Sequence, residues 1–244
     1  MRRVRANLVP HDDPAIEVAS RRARETFGYF WREVWWERRR IVGGLDLAAV
    51  KAAFVEGDAV EHLWVVDVDF DGLTVTGTVV NEPLDLTGVR PGDRVDVELD
   101  EVEDWLFAVD GLAHGGFTIA AIRAGLGRLA RRRHDRAWGL RFPDEVLLVH
   151  GQSADPARLD DHPLCLASRA DLAATLQVDR SLAMERDEDG FTLLHREAIA
   201  GDAPLVVLLL AFGADPAARS PRGLTAEEHA ERLGWTRVVE AMHA

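Results

Sequence analysis

The stretch Asp189–Pro216, which reads DGFTLLHREAIAGDAPLVVLLLAFGADP, decides how the carboxy-terminal part of this chain is organised. Moved forward by 33 positions, it meets a second copy of its own pattern. The matching pairs combine turn glycines, a helix cap and a helix residue: Gly190 and Gly223, Thr192 and Thr225, Gly201 and Gly234, Val206 and Val239. A spacing preserved in turns and helices together indicates stacked repeats.

Each copy is predicted to form a pair of short helices. In the first copy Thr192 caps a helix that ends near Gly201, and Pro204 opens a second helix that stops at the next glycine. Such a unit buries its apolar face only against its neighbours, so about three units are needed for stability. The preceding segment, in which Leu176 takes the place of Leu209, is therefore predicted to be the second helix of a degenerate first unit.

This pattern resembles the ankyrin repeat, G-x-T-P-L-H-x-A-A-x-x-G followed by V-x-x-L-L-x-x-G-A-D. The residues that match it are Gly190, Thr192, Leu194, His195, Ala198, Gly201, Val206, Leu209, Leu210, Gly213, Ala214 and Asp215. The first copy departs from it at Leu193 and Glu197, where the pattern has proline and alanine. In the second copy Glu227 and Glu228 stand where leucine and histidine belong. A polar last unit suits the end of a stack, because nothing packs on its outer face.

The resemblance implies an all-α ankyrin stack over residues 168–244, consisting of a half repeat and two full repeats, that binds another protein. It also implies that His195 hydrogen-bonds the threonine of its unit and the neighbouring loop backbone, which is a structural role. We predict that four charged residues contact the partner: Arg186, Arg219, Arg222 and Glu197.

The amino-terminal region begins with a helix signal. Asp13 and Pro14 form an N-cap and a first turn, and the apolar stripe that follows continues to Val34, so one amphipathic helix is predicted. Another helix is predicted from the apolar series that starts at Ile119, with the basic run Arg131–Arg136 in its last turns.

Between these helices, alternating residues predict an antiparallel sheet. The segments HLWVVDVDF (62–70) and LTVTGTVV (73–80) flank Asp71 and Gly72, a strong hairpin signal. Closing the hairpin there aligns apolar residues on one face: Phe70 with Leu73, Val68 with Val75, Val66 with Gly77 and Trp64 with Val79. A further strand, RVDVELD, is predicted to point Val95, Val97 and Leu99 inward. The fold class is therefore α+β, with flanking helices on an antiparallel sheet.

A second resemblance rests on motifs around this sheet. The segments VEHLWV (60–65), GTVVNEP (77–83), GD (92–93) and EVEDW (101–105) are similar to the YegJ-like bacterial family, a domain of unknown function. GGFTIAAIR and HDRAWGLRF, further on, resemble the extended form of that domain, which occurs fused to ankyrin units. The resemblance implies no activity. We predict an α+β domain over residues 1–150, a linker over 151–167 and repeats over 168–244.

The motif residues around the sheet include groups that could form a reaction site. The candidates are Glu61, His62, Trp64, Asn81, Glu82, Asp104 and Trp105, with Glu103 beside them. A histidine and paired carboxylates could support acid–base chemistry or hold a divalent metal. No H-E-x-x-H, paired C-x-x-C, G-x-S-x-G, P-loop or dinucleotide motif accompanies them. We read NEP as a strand end and EDW as two solvated acids before an anchoring indole. No catalytic residue, metal or cofactor is predicted.

The composition of the chain indicates its class of partner and its cellular compartment. The chain has 29 basic and 42 acidic residues, a net charge of −13, which disfavours nucleic acid as a partner and favours a basic protein. The basic runs are read as solvated surface. A single cysteine, Cys165, and the lack of a long apolar run predict a cytoplasmic protein without a membrane partner. Lys51 is the only lysine, and we draw no function from it.

Three functions stay open. The first is an interaction protein that binds its partner through the repeats. The second is an immunity-type or antitoxin-type inhibitor that covers a basic toxin. The third is a hydrolase or metal-dependent enzyme near His62 and Asn81.

Overall fold

Residues 13–150 and 161–243 are described by a computed structural model, in which they divide into two units. The first unit contains residues 13–30 and 40–150, and the second contains 31–39 and 161–243. The sequence-based division assigned residues 31–39 to the first domain. The structure groups them with the second unit instead.

A six-stranded sheet forms the first unit. Its strands are β1 (Leu47–Glu56), β2 (Ala59–Phe70), β3 (Thr74–Val79), β4 (Arg94–Glu98), β5 (Val102–Val109) and β6 (Leu112–Gly115). They lie in the order β4-β3-β2-β1-β5-β6, and all neighbours are antiparallel. The predicted antiparallel sheet is therefore confirmed, and β4 is an edge strand.

The predicted hairpin between β2 and β3 exists, but its register was wrong. Phe70 pairs with Val75, and Val65 pairs with Val79. Asp71 accepts the backbone N–H groups of Leu73 and Thr74, which makes a wider loop than the predicted two residues.

The buried residues of β2 switch from odd-numbered to even-numbered positions along the strand. The register of β2 against β3 shifts between Val66 and Asp69, where Asp67 has a φ of 51°. Because the bulge inserts one residue, Val65 lies on the core face where Trp64 was predicted.

The two-residue hairpin turn occurs elsewhere in the sheet. Asp110 and Gly111 join β5 to β6, with φ values of 49° and 70°. Positive φ at both central positions is the geometry of a type I′ turn. The same Asp-Gly signal was present in the sequence at this position, and the prediction did not use it.

The helices of this region are shorter than predicted. α1 (Pro14–Glu25) is capped by Asp13 as expected, and a break at Thr26 separates it from α2 (Phe27–Glu37). The predicted helix from Ile119 is also two helices, α3 (Phe117–Ala124) and α4 (Arg128–Trp138). Glycines between α3 and α4 favour the interruption.

Helices and short turns build the remainder of the second unit. They are α5 (Pro163–Val178), a 3₁₀ turn (Arg180–Ala183), α6 (Leu193–Ala200), α7 (Ala203–Ala211), α8 (Ala226–Arg232) and α9 (Thr236–Met242). The predicted helix pairs therefore form, as α6–α7 and α8–α9. The helix α5 begins at Pro163, inside the predicted linker of residues 151–167; residues 151–160 lie outside the described part of the chain.

Candidate functional site

Three polar side chains meet on the sheet of the first unit. Nδ1 of His62 on β2 lies 2.6 Å from Oε2 of Glu103, and Nζ of Lys51 on β1 lies 3.5 Å from the same oxygen. Because a carboxylate only accepts, His62 presents a protonated Nδ1 to Glu103 in this contact. His62 and Glu103 are grouped by the sequence motifs, whereas nothing in the sequence around Lys51, the sole lysine, points to this contact.

Two other motif residues, Glu61 and Asn81, accept hydrogen bonds from backbone N–H groups. The carboxylate of Glu61 accepts the backbone N–H groups of Leu84, Asp85 and Leu86. Burial raises the pKa of Glu61, but these bonds outweigh it and the net shift is downward. Asn81 accepts the backbone N–H of Trp64 at 2.7 Å, so it organises the strand end.

Two further candidates have other surroundings. Glu82 is exposed. Trp64 contacts Trp138 edge to face, with 5.4 Å between ring centroids.

Asp104 and Trp105 are internal. The prediction that Asp104 is solvated was wrong, since the residue is fully buried. Its carboxylate accepts the backbone N–H groups of Phe117 and Thr118 and the Thr118 hydroxyl, so it caps the start of α3. The indole of Trp105 donates to the Ala23 carbonyl oxygen and is also buried, as an anchoring indole should be. Both residues stabilise the fold.

The structure also bears on the hypothesis of a metal-dependent enzyme. Within residues 13–150 and 161–243, no group of three His, Cys, Asp or Glu side chains could hold a metal ion. The metal-dependent alternative therefore has no ligand set in that part of the chain.

His195 of the second unit has the structural role that was predicted. Thr192 Oγ1 lies 2.7 Å from His195 Nδ1, and His195 Nε2 lies 3.0 Å from the Ala218 carbonyl oxygen. Burial lowers the pKa of His195, which favours a neutral ring that accepts at Nδ1 and donates at Nε2.

The second helix pair reproduces this cap with a different residue. Glu228 occupies the position of His195, accepts the Thr225 backbone N–H at 2.7 Å, and donates its own N–H to the Thr225 hydroxyl. The departure from the ankyrin pattern at this position therefore keeps a capping box.

Two of the residues that were predicted to contact the partner form hydrogen bonds within the second unit. Arg186 donates to the carbonyl oxygens of Gly190 and Arg219. Arg219 repeats the first of these bonds with Gly223, at the equivalent place one unit later. Both arginines therefore shape the loops that precede α6 and α8.

Glu197 is the candidate that the structure corrects most clearly. It is only 2% exposed, and Oε1 accepts a hydrogen bond from Arg39 at 2.7 Å. A residue buried in this way does not present its carboxylate at a partner surface. The Glu197 carboxyl lies beside Asp202, which accepts the Trp36 indole N–H. These bonds explain why residues 31–39 belong to the second unit.

The loop tips of the second unit carry exposed charged residues. Glu188 lies before α6, and Arg222, the remaining predicted contact, lies before α8; both are exposed.

None of the helices within the described ranges combines the length and apolar character needed to cross a bilayer.

Residues 13–142 match a family described as "Uncharacterized protein conserved in bacteria (DUF2314)". The chain is 42% identical over 240 residues to a Neisseria meningitidis serogroup B protein named "Putative ankyrin repeat protein NMB1133/NMB1171", covering 96% of this chain and 95% of that protein. It is 30% identical over 74 residues to the Escherichia coli K12 "Uncharacterized protein YegJ", covering 30% of this chain and 48% of that protein.

Proposed function

This chain belongs to the bacterial DUF2314 family, and we propose that it is a non-catalytic interaction protein whose second unit is an ankyrin stack. In this proposal the loops before α6 and α8 bind a protein partner. The name of the Neisseria relative supports the ankyrin assignment.

One observation carries the proposal. The same internal construction recurs 33 residues apart: a loop shaped by Arg186 or Arg219, and a helix capped by Thr192 or Thr225. The polar groups of this construction bond to one another and so are used in building the units. The loop tips carry the exposed side chains of Glu188 and Arg222, which an outside partner can reach.

The partner chemistry follows from charge. With a net charge of −13, the chain attracts basic proteins through long-range steering. An inhibitor of a basic toxin is one form of this function. A toxin gene beside this one, with toxicity relieved by this chain, would specify that form.

The test is affinity purification from the native bacterium with a loop variant, Glu188→Arg combined with Arg222→Glu. The exchange leaves the net charge unchanged, so it alters the loop tips without altering steering. We expect the parent chain and an exposed control, Arg90→Ala, to recover the same partner and the loop variant to lose it. The loop variant must have the same melting temperature as the parent chain, which shows that it is folded. A folded loop variant that retains the partner, or a parent that recovers none, contradicts the proposal.

A second candidate function is favoured by the 2.6 Å contact between His62 and Glu103. A histidine oriented by a carboxylate is the arrangement of a general base. This candidate predicts that His62→Ala abolishes hydrolysis of a panel of ester, amide and phosphate substrates while melting is unchanged. Parent protein without turnover on the panel, or a variant that unfolds, argues for a structural ion pair.

A further inference from the structure

A basic ridge on α4 stands apart from the acidic character of the chain. The ridge consists of Arg128, Arg132, Arg133 and Arg136, all exposed, with Leu129 among them at 81% exposure. Within residues 13–150 and 161–243, none of the four arginines forms an ion pair with an acidic residue. Four cations are therefore concentrated on one short helix of a chain whose net charge is −13.

The helix that carries the ridge is held firmly against its neighbour. Arg123 on α3 makes a two-pronged bond to Asp135, with distances of 2.8 Å and 3.0 Å. Arg131 donates to the Arg123 carbonyl oxygen at 3.1 Å from Nη2. These contacts hold α4 against α3 through Arg131 and Asp135, so the exposed arginines project from a fixed backbone.

The spacing of the ridge defines the size of its ligand. Arg128, Arg132 and Arg136 lie four residues apart, so they share one face and span about 12 Å along the helix axis. A guanidinium group pairs with a carboxylate through two parallel hydrogen bonds. A helix or extended segment with carboxylates at similar intervals matches this row.

We propose that the ridge on α4 is a docking site for a short acidic segment of another protein, with Leu129 covered by an apolar residue of that segment. An extended nucleic acid fits less well, because its phosphates continue beyond the ridge into the field of an acidic chain, where charges act over about 8–10 Å at physiological salt. A phosphate backbone also offers nothing apolar to Leu129. The site goes beyond the proposed partner surface, since it lies in the first unit.

The experiment measures binding of the full chain to a labelled helical peptide of about 14 residues with glutamates at every fourth position and one leucine. A peptide with glutamine in place of each glutamate serves as the ligand control. The ridge variant is Arg132→Glu with Arg136→Glu. The matched control is Arg90→Glu with Arg94→Glu, which makes the same charge change at exposed sites of the same unit. If reversing the charge disturbs folding, Arg132→Gln with Arg136→Gln replaces the ridge variant, because glutamine removes the charge and keeps a similar helix propensity.

We expect saturable binding of the glutamate peptide that weakens by about tenfold in the ridge variant, weakens less in the control, and falls between about 0.01 M and 0.15 M salt. Leu129→Ser should also weaken it. Equal loss in both variants means that net charge alone acts, and it overturns the site. Tighter ridge-dependent binding of an oligothymidylate or anionic vesicle, or ridge-dependent self-association of the chain, also overturns the acidic-segment assignment. Loss of the loop-tip partner leaves this result unaffected, so the two proposals fail separately.

Discussion

The indole N–H of Trp36 donates to Oδ1 of Asp202 across 3.2 Å, and the two residues are 166 positions apart in the chain. Asp202 is 1% exposed and lies beside the carboxyl group of Glu197. Burial, and then the negative charge of Glu197, raises the pKa of Asp202 well above its usual value. The raised pKa favours the protonated form of Asp202 inside the second unit.

Asp202→Asn is expected to stabilise the protein at neutral and alkaline pH. Since the pKa of Asp202 is raised by folding, its contribution to stability is present at low pH and is lost as pH rises through the folded pKa. Asparagine keeps an acceptor for Trp36 and adds a permanent donor toward Glu197. The free energy of unfolding should exceed that of the parent by about 1–3 kcal/mol at high pH, and the difference should shrink as pH falls toward about 4.

Urea unfolding at several pH values measures this difference. The groups that face the pair are Arg32, Arg39 and the Cys165 thiol, and none of them is altered by the substitution. Glu188→Gln, which removes an exposed carboxylate, is the control. A stability difference that does not change with pH is incompatible with a raised pKa of Asp202.

Asp104→Ala should destabilise the first unit through the loss of a helix cap. Three donors on Phe117 and Thr118 would lose their acceptor in a buried place. We expect the free energy of unfolding to fall by about 2–4 kcal/mol, measured by chemical denaturation. Asp100→Ala, at an exposed position, should change it by less than about 0.5 kcal/mol. Similar effects of the two substitutions would argue against the cap.

His195→Gln should reduce the loss of stability on acidification. Burial lowers the pKa of His195, so its neutral ring contributes stability above its ordinary pKa, and that contribution is lost as pH falls below it. Glutamine can complete the cap with Thr192 but loses the bond to Ala218, at a cost of about 1 kcal/mol near pH 8. Thermal melting between about pH 8 and pH 5 should show a shallower decline in the variant. A parallel decline would mean that other groups control it.

Gly201→Ala and Gly234→Ala form a matched pair, because the two glycines occupy equivalent positions 33 residues apart. Both have positive φ, 79° and 73°, so each substitution costs about 1–2 kcal/mol. A Cβ at Gly201 would also meet the Trp235 ring, whereas nothing lies within 4 Å of one at Gly234. We expect Gly201→Ala to lower the free energy of unfolding by a further 1–3 kcal/mol or so, in denaturant titrations. Equal costs would show that the Trp235 ring moves freely.

Local signals in the sequence were sufficient to predict where several helices begin and that two helix pairs repeat. Asp13, Thr192 and Thr225 cap the helices that they were predicted to start, and the 33-residue spacing produced two similar helix pairs. These features could be predicted because caps and turns depend on residues close to one another in the chain.

The register of the β2–β3 hairpin could not be predicted in this way. Alternation of apolar residues continues through Asp67, and it does not reveal that one residue is bulged out of the ladder. The correct pairing depends on which residues pack below the sheet: Val65 joins Leu63, Val79 and Leu86. That packing brings together distant parts of the first unit.

By itself, the sequence determined the α+β class, the helix caps and the repeated helix pairs, because propensity and periodicity act over a few residues. Only the tertiary structure decided that Asp104 and Glu197 are buried, that His62 meets Glu103 and Lys51, and that residues 31–39 join the second unit. A charged side chain looks the same in a sequence whether water or a distant partner surrounds it. Its role is set by long-range contacts that local patterns do not contain.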